Sequence, residues 1–255
     1  MNMETSILLK KHYSELVDVV CNISELHLYS GQLQNAEHIL IRCVQFTDHQ
    51  DIDVKDLMKL QIQLGKLLNQ LSFYGKSRFE EAIAVLTHAK QIAESVKDKA
   101  SLATIFIYLG QAYDYQKMNS DEGDYQIALD YFEQACELFK SINHKEGEGK
   151  SLFNIGLIHQ RLEDLEKAEI YFKKAYKIAA QYEVKYDLSL AARHLGFINF
   201  ISENFNLALD YAKESLRLRE EIKYWLNSSP GPPCFGKPVY CAGTMGYGNG
   251  AFTTS

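Results

Sequence analysis

Proline is missing from the first 229 residues: all four prolines, with six of the fifteen glycines, lie between Ser229 and Gly250. Before that stretch, nothing removes a backbone donor from a helix. Long apolar runs are missing too, and none approaches the ~18 residues that span a bilayer. The opening MNMETSILLKKHY has no cleavage pattern of a secretion signal. The five cysteines form no disulfide framework; Cys21, Cys43 and Cys136 fall on apolar helical faces and read as reduced core residues of a cytoplasmic protein. Cys234 and Cys241 are too widely spaced for a redox pair and have no histidine companions. Excess positive charge is absent as well: 27 basic against 33 acidic side chains give a net charge of -6, which argues against nucleic acid or a membrane as partner. There is no phosphate-cradling glycine loop, no nucleophile elbow and no histidine pair at metal-ligand spacing. Asp121, Glu122 and Asp124 do not fit the twelve-residue calcium pattern. The sequence therefore leads us to expect no catalytic residue, no metal and no cofactor.

What the chain does contain is a repeat. A small residue recurs at Ala36, Ala82, Ala128, Ala168 and Ala208, in steps of 46, 46, 40 and 40. Ahead of each stands a landmark pair: Ile23-Ser24, Leu64-Gly65, Leu109-Gly110, Ile155-Gly156 and Leu195-Gly196. Behind each follow Leu40/Cys43, Leu86/Ala89, Phe132/Ala135, Phe172/Ala175 and Ala212/Ser215. Self-similarity of this length marks a solenoid of helical hairpins, each burying its apolar face against its neighbours. Small residues let helix axes approach, and large ones fill the space beside them. The pattern predicts an all-α fold of about ten helices, with units near 8–48, 52–96, 98–142, 146–182 and 186–223. Gly31 and Gly75 break the first two hairpins, and Gly147 and Gly149 mark a hinge between the third and fourth units. The two longer steps are assigned to the connections Ser72 to Arg78 and Met118 to Asp124, with Asp124 as a helix N-cap. Residues 224–255, rich in proline and glycine and carrying Lys237 as their only charge, form a tail outside the solenoid.

The spacing of Ile155-Gly156, His159, Leu165, Ala168, Phe172 and Ala175 resembles the tetratricopeptide repeat. The resemblance runs from about Met3 to Lys223. It is weakest in the first unit, where Ser24 stands in place of glycine. Units of about 40 residues exceed the usual 34 and are similar to those of the Rap-type quorum-sensing peptide receptors of Gram-positive bacteria. They also look like those of the spindle-orientation scaffold that carries Leu-Gly-Asn repeats. The resemblance implies a right-handed superhelix whose first helices line a concave groove for a peptide or a partner's helix. The groove residues it designates are Asn22, Gln63, Lys66, Asn69, Tyr108, Gln111, Lys150, Phe153, Asn154, Leu157, Arg161, Arg193, His194 and Phe197, with Ile62, Thr104 and Ile107 in the wider lining. Asn22, Asn154 and Gln63 could grip a ligand's main chain, since a carboxamide offers both a donor and an acceptor. Cys21 and Glu25 replace residues needed to clamp a chaperone C-terminus. His159 reads as a packed core histidine, and no carboxylate partner for His194 can be placed.

Five basic groove residues, Lys59, Lys66, Lys150, Arg161 and Arg193, face three acidic ones, Asp18, Glu25 and Asp114. Most of the excess lies in units four and five, where a ligand's acidic side chains or free C-terminus would be held by arginine forks. The sequence reading is thus a cytoplasmic, non-enzymatic module for a protein or peptide. Two alternatives stand beside it. One is a Rap-like regulator of a response regulator, although the catalytic bundle of those relatives would have to precede a first repeat that begins within about a dozen residues. The other is a scaffold that forms a homodimer through the apolar C-terminal repeat, with Trp225 and Leu226 as a cap or contact.

Overall fold

The structure, a computed structural model, describes residues 3–47, 52–120 and 123–228; the side chains of 3–7, 29 and 223–228 are not considered. The described residues form ten α-helices: α1 (Met3–Tyr29), α2 (Leu33–Thr47), α3 (Val54–Leu71), α4 (Phe79–Ser95), α5 (Lys99–Asn119), α6 (Tyr125–Ser141), α7 (Lys145–Arg161), α8 (Leu165–Gln181), α9 (Lys185–Ile201) and α10 (Phe205–Ser228). Each helix packs on the next in sequence, and odd-numbered helices also touch one another, α1 on α3, α3 on α5, α5 on α7 and α7 on α9. This is an all-α repeat solenoid with the odd helices side by side along one surface.

The repeat landmarks are the packing contacts. Ala36, Ala82, Ala128 and Ala168 have no exposed surface, and Ala208 is nearly as deep. A Cβ at Gly65 would lie 2.5 Å from Leu86, at Gly110 2.6 Å from Phe132 and at Gly156 2.9 Å from Phe172. In each case the collision is with the large residue of the following helix, so glycine is what lets the hairpin close. Ser24 takes the glycine position in α1 and is fully buried, its hydroxyl donating to the carbonyl of Cys21 at 2.7 Å.

The period has a simple source. The helices α7, α8 and α9 are each 17 residues long. The turns between them, around Glu163 and Glu183, are three residues long with the middle one at positive φ, 61° and 54°. Asp53, Asp98, Asp124 and Asp164 cap the helices that follow them.

The longer step of the second unit lies in the expected connection, and that of the third lies mostly in the helix before it. In the second unit the connection from Ser72 to Arg78 leaves α3 through a π-type turn that loses helical geometry at Tyr74 and Gly75, with Gly75 at φ 82°. In the third, helix α5 itself continues to Asn119. The expected hinge at Gly147 and Gly149 is also corrected. Both lie inside α7, and a Cβ at Gly147 would sit 2.4 Å from the Phe139 ring. Glycine there permits close packing of α7 on α6; the break is at Asn143, φ 54°. Helix α10 runs to Ser228, past the expected end of the solenoid. The side chains of Trp225 and Leu226, with Cys234, Cys241 and the remaining tail, lie outside the described residues.

Candidate functional site

Many of the expected groove residues are engaged in holding neighbouring odd helices together. Between α1 and α3, Lys59 pairs with Asp18, and the Lys66 ammonium donates to Glu25 at 2.8 Å while Gln63 donates to the same oxygen at 3.3 Å. Between α3 and α5, the buried Asn69 amide donates to the carbonyl of Tyr108 at 2.8 Å. Between α5 and α7, Arg161 places Nε 2.7 Å and Nη2 2.9 Å from the two oxygens of Asp114. Burial holds the Asp114 carboxyl above its ordinary range, with Arg161 pulling the other way.

His194 completes the series between α7 and α9. Its Nδ1 lies 2.8 Å from Gln160 Oε1, and its Nε2 lies 3.1 Å from Arg193 Nη2. Only a neutral ring with the proton on Nδ1 satisfies both, since it then donates to Gln160 and accepts from Arg193. The ring stacks on Phe172 at 4.9 Å between centroids and meets Phe153 edge-on at 5.4 Å. Desolvation, followed by the charge of Arg193, pushes its pKa down to about 3 from 6.5. A folded-state value below the unfolded one means that acid favours the unfolded chain. Stability therefore falls as pH drops from about 6.5 towards 3. Urea midpoints at neutral and mildly acidic pH should diverge for the native chain and diverge less for His194→Gln.

Not all the main-chain grips that the sequence suggests are open. Asn154 is buried, and its amide donates to the carbonyl of Lys150 within α7 at 2.8 Å. Asn22 is exposed on α1, while Gln63 is bound to Glu25. Two residues of the expected cationic end already have acidic neighbours. Arg161 is committed to Asp114, and the Lys150 ammonium donates to Glu146 at 3.0 Å and feels the charge of Asp187. Asp114 is among the groove charges counted, but a count does not show that it meets Arg161; Glu146 and Asp187, which face Lys150, lie outside the count. Gln111 and Leu157 remain half-buried on the odd helices, and Arg193 and Phe197 are exposed. His159 stacks on Tyr171 at 5.4 Å, a packed histidine as expected.

What the odd helices do leave open is a cavity of about 270 Å³ where α3, α5 and α7 meet. Ile62, Thr104, Ile107, Tyr108 and Lys150 line it, all of them groove positions in the sequence. Ala100, Ser101, Phe139, His144 and Gly147 complete the wall. These last come from helix ends, a turn and an even helix, where the repeat register gave no signal. Burial raises the Tyr108 phenol to about 12, so it stays neutral and able to donate. Among the described residues, no group of acidic, cysteine or histidine side chains is arranged to hold a metal, and no helix is long and apolar enough to cross a membrane.

Residues 118–181 match the tetratricopeptide repeat family. The matched stretch comprises α6, α7 and α8 with the end of α5. It is 29% identical over 154 residues to human tetratricopeptide repeat protein 29, a match covering 57% of this chain and 31% of that protein. The matched part is thus less than a third of the relative's length. Among solved structures, the fold agrees with that of BtubC from P. vanneervenii at a TM-score of 0.63 and 17% identity, covering 94% of this chain and 93% of that one. RapI in its apo form aligns at 0.57 and 16% identity, covering 82% and 85%. At these identities the likeness is one of fold. Tetratricopeptide repeats generally serve as protein-interaction scaffolds without chemistry of their own.

Proposed function

We propose that this chain binds an extended segment of a partner protein along its odd helices, with an apolar side chain seated in the cavity between α3, α5 and α7. The observation that carries the reading is the cavity itself: about 270 Å³, walled by residues from three units and opening among groove positions. Its walls are formed by interlocked helices, so little ordering opposes binding. Tyr108 on the cavity wall, and Gln111 about one turn further along α5, supply polar contacts to a main chain. Because Arg161 and Lys150 are already paired with carboxylates, the segment is held by shape and main-chain contacts rather than by an acidic terminus.

Thr104 is half-buried on the cavity wall and its hydroxyl bonds back to Ala100 at 3.0 Å, so a larger side chain there fills the cavity without entering the core. Peptides selected from a displayed random library on the native chain should share an apolar anchor residue. They should lose at least about tenfold in affinity for Thr104→Trp, roughly the 1.4 kcal/mol that tenfold represents. Undiminished affinity, with circular dichroism showing the variant folded, would place the binding surface elsewhere.

A further inference from the structure

The three odd helices around the cavity begin on different chemistry. Asp53 opens α3 and Asp98 opens α5, each carboxylate accepting from a backbone N–H of the first turn. Helix α7 is capped by a histidine: His144 Nδ1 accepts the N–H of Gly147 at 2.9 Å. A carboxylate keeps its lone pairs from mildly acidic pH upward, whereas an imidazole nitrogen accepts only while the ring is neutral. Imidazole is also the side chain that changes charge in the physiological range. The capping ring belongs to the cavity wall. Its centroid lies 5.2 Å from that of Phe139, and Phe139 in turn fills the space beside Gly147, 2.4 Å from where a Cβ would lie. His144, Phe139 and Gly147 all line the cavity, so the turn that the cap holds is one side of the site.

Protonation puts an N–H where the cap needs a lone pair, and a positive charge at the end of α7 that the helix dipole opposes. The charges near the ring are largely balanced. On α7, Lys150 donates to Glu146 at 3.0 Å and Lys145 to Glu148 at 2.8 Å. From α8, Tyr182 acts on Lys145, and from α9 Asp187 acts on Lys150. On α6, Lys140 bonds to Cys136; on α5, Asp98 holds the Ser101 hydroxyl at 2.7 Å; α3 contributes the apolar Ile62. Acid therefore favours the released turn: the cap is present at neutral pH and is lost as pH falls. We propose that His144 is a proton-operated latch on the cavity. Neutral, it fastens the first turn of α7 and fixes the wall. Protonated, it lets that turn open, and a segment seated in the cavity is held less tightly. The loosening of the turn stands on the cap alone; its effect on binding rests on the cavity being the anchor site.

The full chain and its His144→Asn variant are compared at about pH 7.5 and about pH 5.5, since asparagine caps a helix well and does not titrate. The first readout is amide exchange at Gly147, corrected for the pH dependence of intrinsic exchange. Protection in the native chain should fall about fivefold, the worth of one cap, and should hold in the variant. The second is affinity for a library-selected peptide free of histidine and acidic residues. The native chain should lose about fivefold over the same interval and the variant less than about twofold. Acid destabilisation through His194 is common to both chains and cancels in the comparison. Gly147 protection that is equal at the two pH values in the native chain overturns the proposal, and so does an equal loss in His144→Asn. A response at Gly147 without a change in affinity overturns the gating and leaves the cavity to be judged by Thr104→Trp.

Discussion

Phe132→Ala is expected to destabilise the fold by about 3–5 kcal/mol, as for a fully buried aromatic side chain. Phe132 is 1% exposed on α6 and faces Gly110 of α5. Its ring edge lies where a Cβ on Gly110 would fall, at 2.6 Å. The pair therefore makes a second, sharper expectation. Gly110→Ala alone overpacks the contact and costs about 1–3 kcal/mol. In the double variant the new methyl enters the space the ring has vacated, so the two costs sum to more than the measured loss. Urea unfolding of the four chains gives the coupling directly. Strict additivity would mean that glycine and ring do not meet, and the packing rule drawn from the repeat would fail with it.

Arg161→Met should be comparably damaging, at about 3–5 kcal/mol, because it leaves Asp114 buried without its cation. The loss carries a pH signature. Asp114 is already held above its ordinary range by burial, and removing Arg161 removes the opposing pull. A carboxyl with a folded-state pKa above its unfolded value retains its proton better when folded. Its penalty is therefore absent in strong acid, grows as pH rises from the unfolded-state value towards the folded-state value, and is complete above the latter. The variant should lose less stability at about pH 5 than at about pH 8. Adding Asp114→Asn should recover part of the loss and flatten the pH dependence. Urea midpoints at the two pH values decide it; a pH-independent loss that Asp114→Asn does not relieve would make Arg161 a packing residue only.

Much of the fold was legible because the repeat's packing is written in residue size. Gly65, Gly110 and Gly156 announced their contacts with Leu86, Phe132 and Phe172, and the five alanines announced the close approaches of the helices. Register says less about turns. The breaks at Asn143, Glu163, Glu183 and Glu203 place non-glycine residues at positive φ, so a search for glycine finds Gly147 instead and mistakes a packing contact for a hinge. The terminal helix shows the limit of the landmark itself. Ile23 shares its register with buried residues yet is exposed, because burial at that position is supplied by the preceding helix.

Several expected groove positions come together in the structure, and several of their charges are already paired there. The sequence placed Ile62, Thr104, Ile107, Tyr108 and Lys150 on one surface, and they do line one cavity. It could not show that Lys66, Arg161 and Asn69 fasten neighbouring odd helices together. Those partners are 41, 47 and 39 residues away, roughly one repeat, and the geometry of the joint decides whether they meet.

The central claim, that a partner lies along the odd helices, is tested most directly by site-specific photo-crosslinking. A benzophenone amino acid is placed at Thr104 in the cavity or at Glu133, exposed on α6, and each chain is irradiated with a library-selected peptide. Capture at position 104 and none at position 133 is the expected result; capture at position 133 alone would contradict it.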